Sequence, residues 1–225
     1  MIEKLTWSYS SLKTFDQCPK KYYHTRVAKD VVEPQGEAMI YGNKMHKAAE
    51  LYIKNDTPLP GEFAYLQKTL DALNKIPGDK HCEVKLAVSY DGKDYAPTTF
   101  FAKDVWWRGV ADLLIVDGDK AFSVDYKTGK NAKYADTEQL DLVAAGVFTK
   151  FPEVKHIKSA LAFVVSNDFI KKEHQATLRK SYFATAEPKL ERLVVAQETD
   201  VWNANPSGLC GWCPVKKCEH YRERR

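Results

Sequence analysis

The feature that most constrains the fold is a short turn, Asp117-Gly118-Asp119, which lies between two apolar runs at residues 106–116 and 120–127. Runs of this length and composition predict β-strands, and an Asp-Gly pair between them predicts a tight hairpin. If Gly118 and Asp119 form the turn, Asp112 lies directly opposite Asp125. If the turn lies one residue earlier, the two carboxylates become diagonal neighbours. Both registers keep them on one face, because a shift of two residues preserves the alternation of side chains.

Two facing carboxylates need an explanation, because like charges about 5 Å apart across a strand pair destabilise it. A divalent ion such as Mg²⁺ or Mn²⁺ takes oxygen ligands at this spacing and would offset the repulsion. Lys127 follows Asp125 by two residues and therefore points to the same face. Such a set suits phosphoryl chemistry, in which the metal activates a water and the lysine orients it or neutralises developing charge.

A plainer interpretation stays open from the residues alone: Asp112 and Asp125 lie in solvent at strand ends, with Lys127 as a salt-bridge partner. The neighbouring residues favour the site, because Leu113, Leu114 and Ile115, like Phe122 and Val124 on the second run, place apolar side chains on both faces. A strand buried on both faces does not keep unpaired charges.

The remaining periodicity predicts an α/β fold, with strands at 83–90, 106–116 and 120–127, a helix at 134–149 and a strand at 157–165. The order strand, strand, strand, helix, strand predicts a mixed sheet, with helices from both chain ends around it. Those helices are predicted from Ser8, as N-cap, toward Gln17, at 37–54, at 63–75 and at 189–202. Met39, Met45, Ala49 and Ile53 mark one side of the second of them.

The bulk composition bounds the protein only loosely. Thirty-four Lys and Arg against thirty Asp and Glu give a net charge of +4, which permits a nucleic-acid partner without arguing for one. No window approaches 18 consecutive apolar residues, and the first residues lack the pattern of a signal peptide. We therefore expect a cytoplasmic protein with no membrane span, in a compartment where clustered cysteines bind metal more often than they form disulfides.

The C-terminal region carries a compact cysteine triad, Cys210-x2-Cys213-x4-Cys218. A tetrahedral site or a cubane cluster needs four thiolates, and Cys18 is the obvious fourth. The fifth cysteine, Cys82, begins a predicted strand and is interpreted as a buried apolar residue. The spacing leaves both zinc and a [4Fe–4S] cluster open.

The motifs around the hairpin resemble a known family. Gly109-Val110-Ala111-Asp112 followed by Val124-Asp125-Tyr126-Lys127-Thr128-Gly129 is similar to the core of the PD-(D/E)XK nuclease superfamily, and its RecB-type branch fits best. The resemblance implies a restriction-endonuclease-like core and a Mg²⁺- or Mn²⁺-dependent DNA nuclease. It also implies that the metal is held by Asp112, Asp125, the carbonyl of Tyr126 and a histidine on an upstream helix.

That histidine is His46, in Gly42-Asn43-Lys44-Met45-His46. On its residues alone, a hydrogen-bonded core histidine is the commoner explanation, and the resemblance reverses that preference. The resemblance further implies Gln139 near the scissile phosphate, although without it Gln139 is merely polar on an amphipathic helix. Where the family has a tyrosine four positions later, this chain has Val143. Glu83 matches a further acidic position of the branch, or is a surface strand residue.

The resemblance also favours a [4Fe–4S] cluster over a zinc site. RecB-type nucleases with an iron–sulfur cluster take one cysteine from the N-terminus and three from the C-terminus, which implies a [4Fe–4S] cluster on Cys18, Cys210, Cys213 and Cys218. Gln17-Cys18-Pro19-Lys20-Lys21-Tyr22 is similar to the opening of that family. The short last gap is more similar to stand-alone phage versions than to CRISPR-associated members. We expect one domain, 1–225, with a core at about 81–166 and a cap formed by 1–30 and 203–225.

The expected partner is DNA. The family's role implies an exonuclease acting on single-stranded DNA or DNA ends in recombination or replication, with a helicase or recombination protein as partner. No element predicts base readout, so sequence specificity is expected to be low. The alternative is a non-catalytic DNA-binding subunit stabilised by iron–sulfur or zinc. A basic region near the cysteines would track the backbone, unless it is only a solvated tail: Lys20, Lys21, Arg26, Lys216, Lys217, Arg222, Arg224 and Arg225, with Tyr22, Tyr23 and Trp212 for stacking.

Overall fold

A computed structural model describes residues 1–129 and 135–223. The chain divides into two compact units, one formed by Glu37–Thr185 and the other by Met1–Gly36 together with Ala186–Arg225. The predicted single-domain organisation and the boundaries of the cap stay predictions. Among the described residues, no helix combines the length and the apolar character needed to cross a bilayer.

The larger unit contains a mixed sheet of six strands in the order β2-β1-β3-β4-β5-β6. Only β4 and β5 are parallel, and the other neighbours are antiparallel. The helix α5, Glu138–Lys150, connects the parallel pair, as a crossover between parallel strands requires. The predicted α/β fold with a mixed sheet is confirmed, and β2 and β6 are additional. The strands are Asp79–Tyr90, Tyr95–Pro97, Trp107–Asp117, Lys120–Lys127, His156–Phe163 and Asp168–Gln175.

The hairpin between β3 and β4 adopts the first of the two registers considered. Asp117 pairs with Lys120, and the ladder continues without a shift to Leu113 opposite Val124. Gly118 has a φ of +59°, which glycine adopts at little cost in a two-residue turn. Extending the same register by one position brings Asp112 opposite Asp125.

Two helices precede the sheet, α3 at Glu37–Asn55 and α4 at Gln67–Asn74, with a 3₁₀ helix at Gly61–Leu66 between them. The buried side of α3 carries Met45, Ala49 and Ile53, which pack with α4 and the sheet in one apolar core. The prediction for Met39 was wrong, because that side chain is 49% exposed near the start of the helix. The predicted helix at 63–75 is a 3₁₀ helix followed by an α-helix.

The helix α5 approaches the sheet closely because it lacks a side chain at one contact. A Cβ atom at Gly146 would lie 2.4 Å from the ring of Trp107. Trp106 and Trp107 are both buried. The predicted start of this helix at Tyr134 lies outside the described residues, and α5 begins at Glu138. After the sheet, a 3₁₀ helix at Ala176–Leu178 and α6, Arg179–Ala184, complete the unit.

The smaller unit is helical. α1 begins after Ser8, whose hydroxyl forms a reciprocal capping box with Ser11, so the predicted N-cap is confirmed. Phe15 and Tyr22 pack with Trp202 in an aromatic cluster. The helical segments are Ile2–Lys4 and Cys210–Trp212 (3₁₀), Tyr9–Gln17 (α1), Pro19–Tyr22 (α2), Tyr23–Val27 (π) and Glu187–Thr199 (α7).

Candidate active site

The site begins at an irregularity in the longest strand pair. β1 and β3 are paired on both sides of one position, at Val84 with Ala111 and at Cys82 with Leu113, so Glu83 and Asp112 lie opposite each other between these pairs. Glu83 has a φ of +53°, a backbone conformation that residues other than glycine and asparagine rarely adopt. Strained backbone of this kind costs about 1–3 kcal/mol and clusters at functional sites.

Three potential metal ligands meet at this irregularity. His46, Glu83 and Asp112 each offer a ligand atom within 4.8 Å of the others. The imidazole of His46 links α3 to both strands of the hairpin, because Nδ1 lies 3.3 Å from Oδ1 of Asp112 and Nε2 lies 3.0 Å from the carbonyl oxygen of Tyr126. The N–H of Tyr126 donates to Oδ2 of Asp112 at 2.8 Å. One nitrogen and several oxygens therefore face a common point.

Asp125 forms a second, adjacent group with Lys127 and Gln139. The Lys127 ammonium lies 2.7 Å from Oδ2 of Asp125 and donates to the amide oxygen of Gln139 at 3.1 Å. The amide nitrogen of Gln139 donates to Oδ1 of Asp125. Although Oδ2 is buried and ion-paired, it accepts no hydrogen bond of good geometry from the described residues. A buried carboxylate oxygen with spare lone pairs is suited to a cation.

Crowding of negative charge is reflected in the pKa values. Burial and the nearby Asp112 raise the pKa of Asp125, against the opposing charge of Lys127. The pKa of Glu83 is also raised, first by burial and then by Asp112. Burial lowers the pKa of His46, but the hydrogen bond to Asp112 and the surrounding carboxylates more than offset it, so the net shift is upward. The site therefore favours added positive charge, and its donor set fits a hard divalent ion.

The structure thus brings all the predicted residues of the site into one region, in two groups joined by the backbone of Tyr126. Their chemical roles stay predictions. Glu83, for which the sequence left a surface strand position open, lies in the group of three potential ligands. The available signal was an acidic residue at the start of a predicted strand, between the apolar residues Cys82 and Val84.

The four cysteines of the predicted cluster all lie in the smaller unit as half-buried free thiols. Backbone N–H groups are directed at two of the sulfur atoms. Lys21 and Asn205 each approach Sγ of Cys18 at 3.5 Å, and Ser207 approaches Sγ of Cys210 at 3.3 Å. Hydrogen bonds to sulfur are a common feature of thiolates that bind metal. Burial raises the pKa of the Cys213 thiol.

The spacing of these thiols differs from that of a zinc site. Tetrahedral zinc with bonds of about 2.3 Å holds its sulfur atoms about 3.8 Å apart. Within the described chain, no three of the four thiols lie within 4.8 Å of one another. Cys82 lies in the other unit, within β1 rather than at its start, and is half-buried.

The basic region near the cysteines is less available than the sequence predicts. Lys20 pairs with Glu219, Lys21 with Glu33 and Lys217 with Asp30, at 2.5–2.6 Å. The stacking role predicted for Tyr22 was wrong, because its ring is buried against Trp202. Trp212 is 64% exposed and keeps that possibility. Arg224 and Arg225 lie outside the described residues.

Comparison with known proteins identifies the fold and the family of the chain. The chain aligns with 99% coverage, 13% identity and a TM-score of 0.53 to a solved structure from Eubacterium rectale described as a "putative exonuclease", of which 90% is covered. The structure of SSO0001 is similar at 12% identity and a TM-score of 0.41, with 96% and 87% of the two chains covered. Comparison with curated proteins gives no match. The model of the PD-(D/E)XK nuclease superfamily matches residues 6–218. The chain therefore belongs to the PD-(D/E)XK nuclease superfamily.

Proposed function

We propose that this nuclease is a Mg²⁺- or Mn²⁺-dependent deoxyribonuclease. Its active site at the β3–β4 hairpin would hydrolyse the phosphodiester bonds of DNA. The observation that carries the proposal is the convergence of His46, Glu83 and Asp112 within 4.8 Å. This group lies beside a buried Asp125 carboxylate that is ion-paired to Lys127. Superfamily membership supplies the reaction class, since its nucleases are generally metal-dependent phosphodiester hydrolases.

The residues that would hold the ion are His46, Asp112, Asp125 and the carbonyl of Tyr126, with Glu83 as a further oxygen donor. When bound, a divalent ion supplies Lewis acidity and lowers the pKa of a water. Burial and the nearby Asp112 raise the pKa of the Asp125 carboxyl, and a bound cation would offset this repulsion.

The chain's own groups would orient the substrate and the attacking water. Lys127 presents an ammonium between Asp125 and Gln139, where it can hold a water or neutralise charge on a phosphoryl oxygen. Gln139 accepts from Lys127 and donates to Asp125, so it fixes the position of both side chains. The Nε2–H group of His46 donates to the Tyr126 carbonyl oxygen and thereby keeps α3 against the hairpin.

The proposal includes a [4Fe–4S] cluster on Cys18, Cys210, Cys213 and Cys218. N–H groups directed at the Cys18 and Cys210 sulfur atoms support thiolate character. A cubane cluster separates its four thiolates more widely than one zinc ion does, because each thiolate binds a different iron. The choice of a cluster over zinc rests on the resemblance of the cysteine motifs Gln17-Cys18-Pro19 and Cys210-x2-Cys213-x4-Cys218 to the iron–sulfur nucleases.

The proposed substrate is single-stranded DNA or a DNA end, and the proposed action is exonucleolytic. The description of the Eubacterium rectale structure supports this direction, although it belongs to that protein. A role in recombination or replication, with a helicase or recombination protein as partner, and a phage origin follow from the resemblance of the cysteine and hairpin motifs.

The test is digestion of end-labelled single- and double-stranded linear DNA by anaerobically purified protein with Mn²⁺ or Mg²⁺. Lys127→Ala removes the proposed ammonium. Lys158→Ala is the matched control, because that exposed lysine lies on β5 and forms an ion pair with the exposed Glu173. We expect metal-dependent cutting by the wild type and the control, and a loss of at least about 100-fold in Lys127→Ala.

Absence of cutting by folded, metal-supplied wild type would overturn the proposal in favour of a non-catalytic DNA-binding subunit. Equal cutting by wild type and Lys127→Ala would overturn the assignment of the lysine.

A further inference from the structure

An exposed aromatic pair lies on the loop that connects β2 to β3. Phe101 is 78% exposed, and its ring meets that of Phe100 edge to face, with centroids 5.3 Å apart. The loop is fastened at both ends, because the N–H groups of Thr98 and Trp106 donate to carbonyls of β1 at 3.1 and 2.8 Å. A large apolar ring is thus presented to solvent by an anchored loop.

Cations surround this aromatic pair. The Lys85 ammonium lies 5.6 Å from the centroid of Phe100 and 5.4 Å from that of Phe101, and the Arg108 guanidinium lies 5.5 Å from Phe100. Lys150 donates to the backbone carbonyl of Lys85 at 2.8 Å and adds a third positive charge. The result is an exposed aromatic surface with a basic surround.

The aromatic pair is close to the candidate active site along both strands. Lys85 follows Glu83 by two residues on β1, and Arg108 precedes Asp112 by four residues on β3. At about 3.3 Å per strand residue, these separations are about 7 and 13 Å. A stacked strand of nucleic acid advances about 3.4 Å per nucleotide, so the interval corresponds to about two to four nucleotides.

We propose that Phe100, Phe101, Lys85 and Arg108 form a binding site for single-stranded DNA that leads into the active site. Bases stack on Phe101 while Lys85 and Arg108 pair with neighbouring phosphates, which is how proteins hold single strands without reading sequence. This inference rests on the proposed nuclease function and specifies that DNA enters the active site as a single strand.

Charge and exposure favour a single strand over the other occupants. In a duplex the base faces are covered by their neighbours, so an exposed phenylalanine gains little, whereas a single strand offers every base face. Protein interfaces are depleted of charge at their centre, while here two cations lie against the aromatic rings themselves. The positive surround is complementary to a polyanion.

The test measures binding of fluorescein-labelled dT12 by anisotropy, in the Lys127→Ala background and without divalent metal, so that no cleavage interferes. We expect Phe101→Ala to weaken binding about 10-fold or more and Phe101→Trp to restore it. The tryptophan fluorescence added by Phe101→Trp should be quenched by dT12. Phe169→Ala is the matched control, because Phe169 is 44% exposed on β6 of the same unit and should leave binding unchanged.

Two further measurements separate this site from the chemistry. Lys85→Ala should reduce the salt dependence of dT12 binding by about 0.7 in slope, the contribution of one phosphate contact. With metal and intact Lys127, Phe101→Ala should raise KM for dT12 more than it lowers kcat, because Phe101 would contact the bound strand and not the scissile phosphate.

Equal dT12 affinity in Phe101→Ala and Phe169→Ala would overturn the inference. A changed oligomeric state in Phe101→Ala with unchanged DNA affinity would overturn it in favour of a protein interface. The binding result can be interpreted even if the protein proves not to cleave DNA, because binding is measured in Lys127→Ala without divalent metal.

Discussion

Nε2 of His46 lies 3.0 Å from the backbone carbonyl oxygen of Tyr126, although 80 residues separate them in the chain. The contact joins α3 to β4 at the point where Asp112 also approaches the imidazole. The His46 imidazole and the Tyr126 carbonyl are both proposed ligands of one metal ion, so this contact places two of the ligands side by side.

Replacing His46 by alanine should therefore weaken metal binding more than it weakens the fold. We expect Mn²⁺ affinity, measured by calorimetry, to fall about 10- to 100-fold, with cleavage recovering at high Mn²⁺. His81→Ala is the control, because that exposed histidine lies on β1 outside the group of three. Unchanged Mn²⁺ affinity in His46→Ala would mean that the histidine is only a packing residue.

The crowding of Glu83 against Asp112 predicts a conflict between stability and function. With no metal bound, two half-buried carboxylates repel each other, and the pKa of Glu83 is raised by burial and by Asp112. Glu83→Gln removes one charge, so we expect it to raise the free energy of unfolding in EDTA by about 0.5–1 kcal/mol. Urea unfolding measures this, with the exposed Glu173→Gln as control.

The same variant should respond less to metal. Mn²⁺ stabilises a protein that binds it only when folded, so the added stability reports affinity. We expect a smaller Mn²⁺-induced rise in stability in Glu83→Gln than in the wild type. A Glu83→Gln variant that is less stable than the wild type in EDTA would contradict the repulsion between Glu83 and Asp112. An equal Mn²⁺-induced rise in the two proteins would contradict the role of Glu83 as a ligand.

The sequence predicted the hairpin well because its determinants are local. The turn residues Gly118 and Asp119 set the register, and the register alone places Asp112 opposite Asp125. His46 and Gln139 could be assigned only through the family resemblance, since neither spacing nor periodicity brings α3 or α5 to the hairpin. Their contacts with Tyr126 and Lys127 depend on tertiary packing.

Other features could not be predicted because they depend on the same long-range packing. Glu83 has a left-handed backbone and lies opposite Asp112, and no local sequence pattern encodes either feature. β2 has only three residues, too few for a periodic signal. β6 combines charged residues with few apolar ones, because much of it is exposed, so it lacks the apolar alternation of a strand.

The proposed cluster predicts a contrast between two cysteines. Cys213→Ser removes a ligand of the cluster, whereas Cys82→Ser changes a half-buried thiol of the other unit. We expect Cys213→Ser to yield colourless or insoluble protein, and Cys82→Ser to remain soluble and brown after anaerobic purification. Visible absorbance and iron content measure this. A soluble, brown and fully active Cys213→Ser protein would contradict the cluster.

A buried polar network fastens α5 to the last two strands. Asp141 of α5 receives a hydrogen bond from Lys172 at 2.6 Å and pairs with Nε2 of His174 at 2.9 Å, while Nδ1 of His174 lies 3.4 Å from the Ser159 hydroxyl. Asp141 is two residues from Gln139 on the same helix. The network therefore holds the first turn of α5, from which Gln139 reaches Asp125 and Lys127.

The network makes stability depend on pH. Burial alone would raise the pKa of Asp141, but the hydrogen bonds from His174 and Lys172 outweigh it, and the net pKa is lowered. A carboxyl with a lowered folded pKa stabilises the fold above its unfolded value of about 3.9, and this contribution is lost as the pH falls through the folded pKa. Asp141→Asn should therefore cost about 1–3 kcal/mol at pH 7. Urea unfolding should show the gap to wild type narrowing from pH 5 toward pH 3, with the exposed Asp168→Asn showing no such gap. A gap that stays constant with pH would assign the loss to packing around α5 and not to the charge of Asp141.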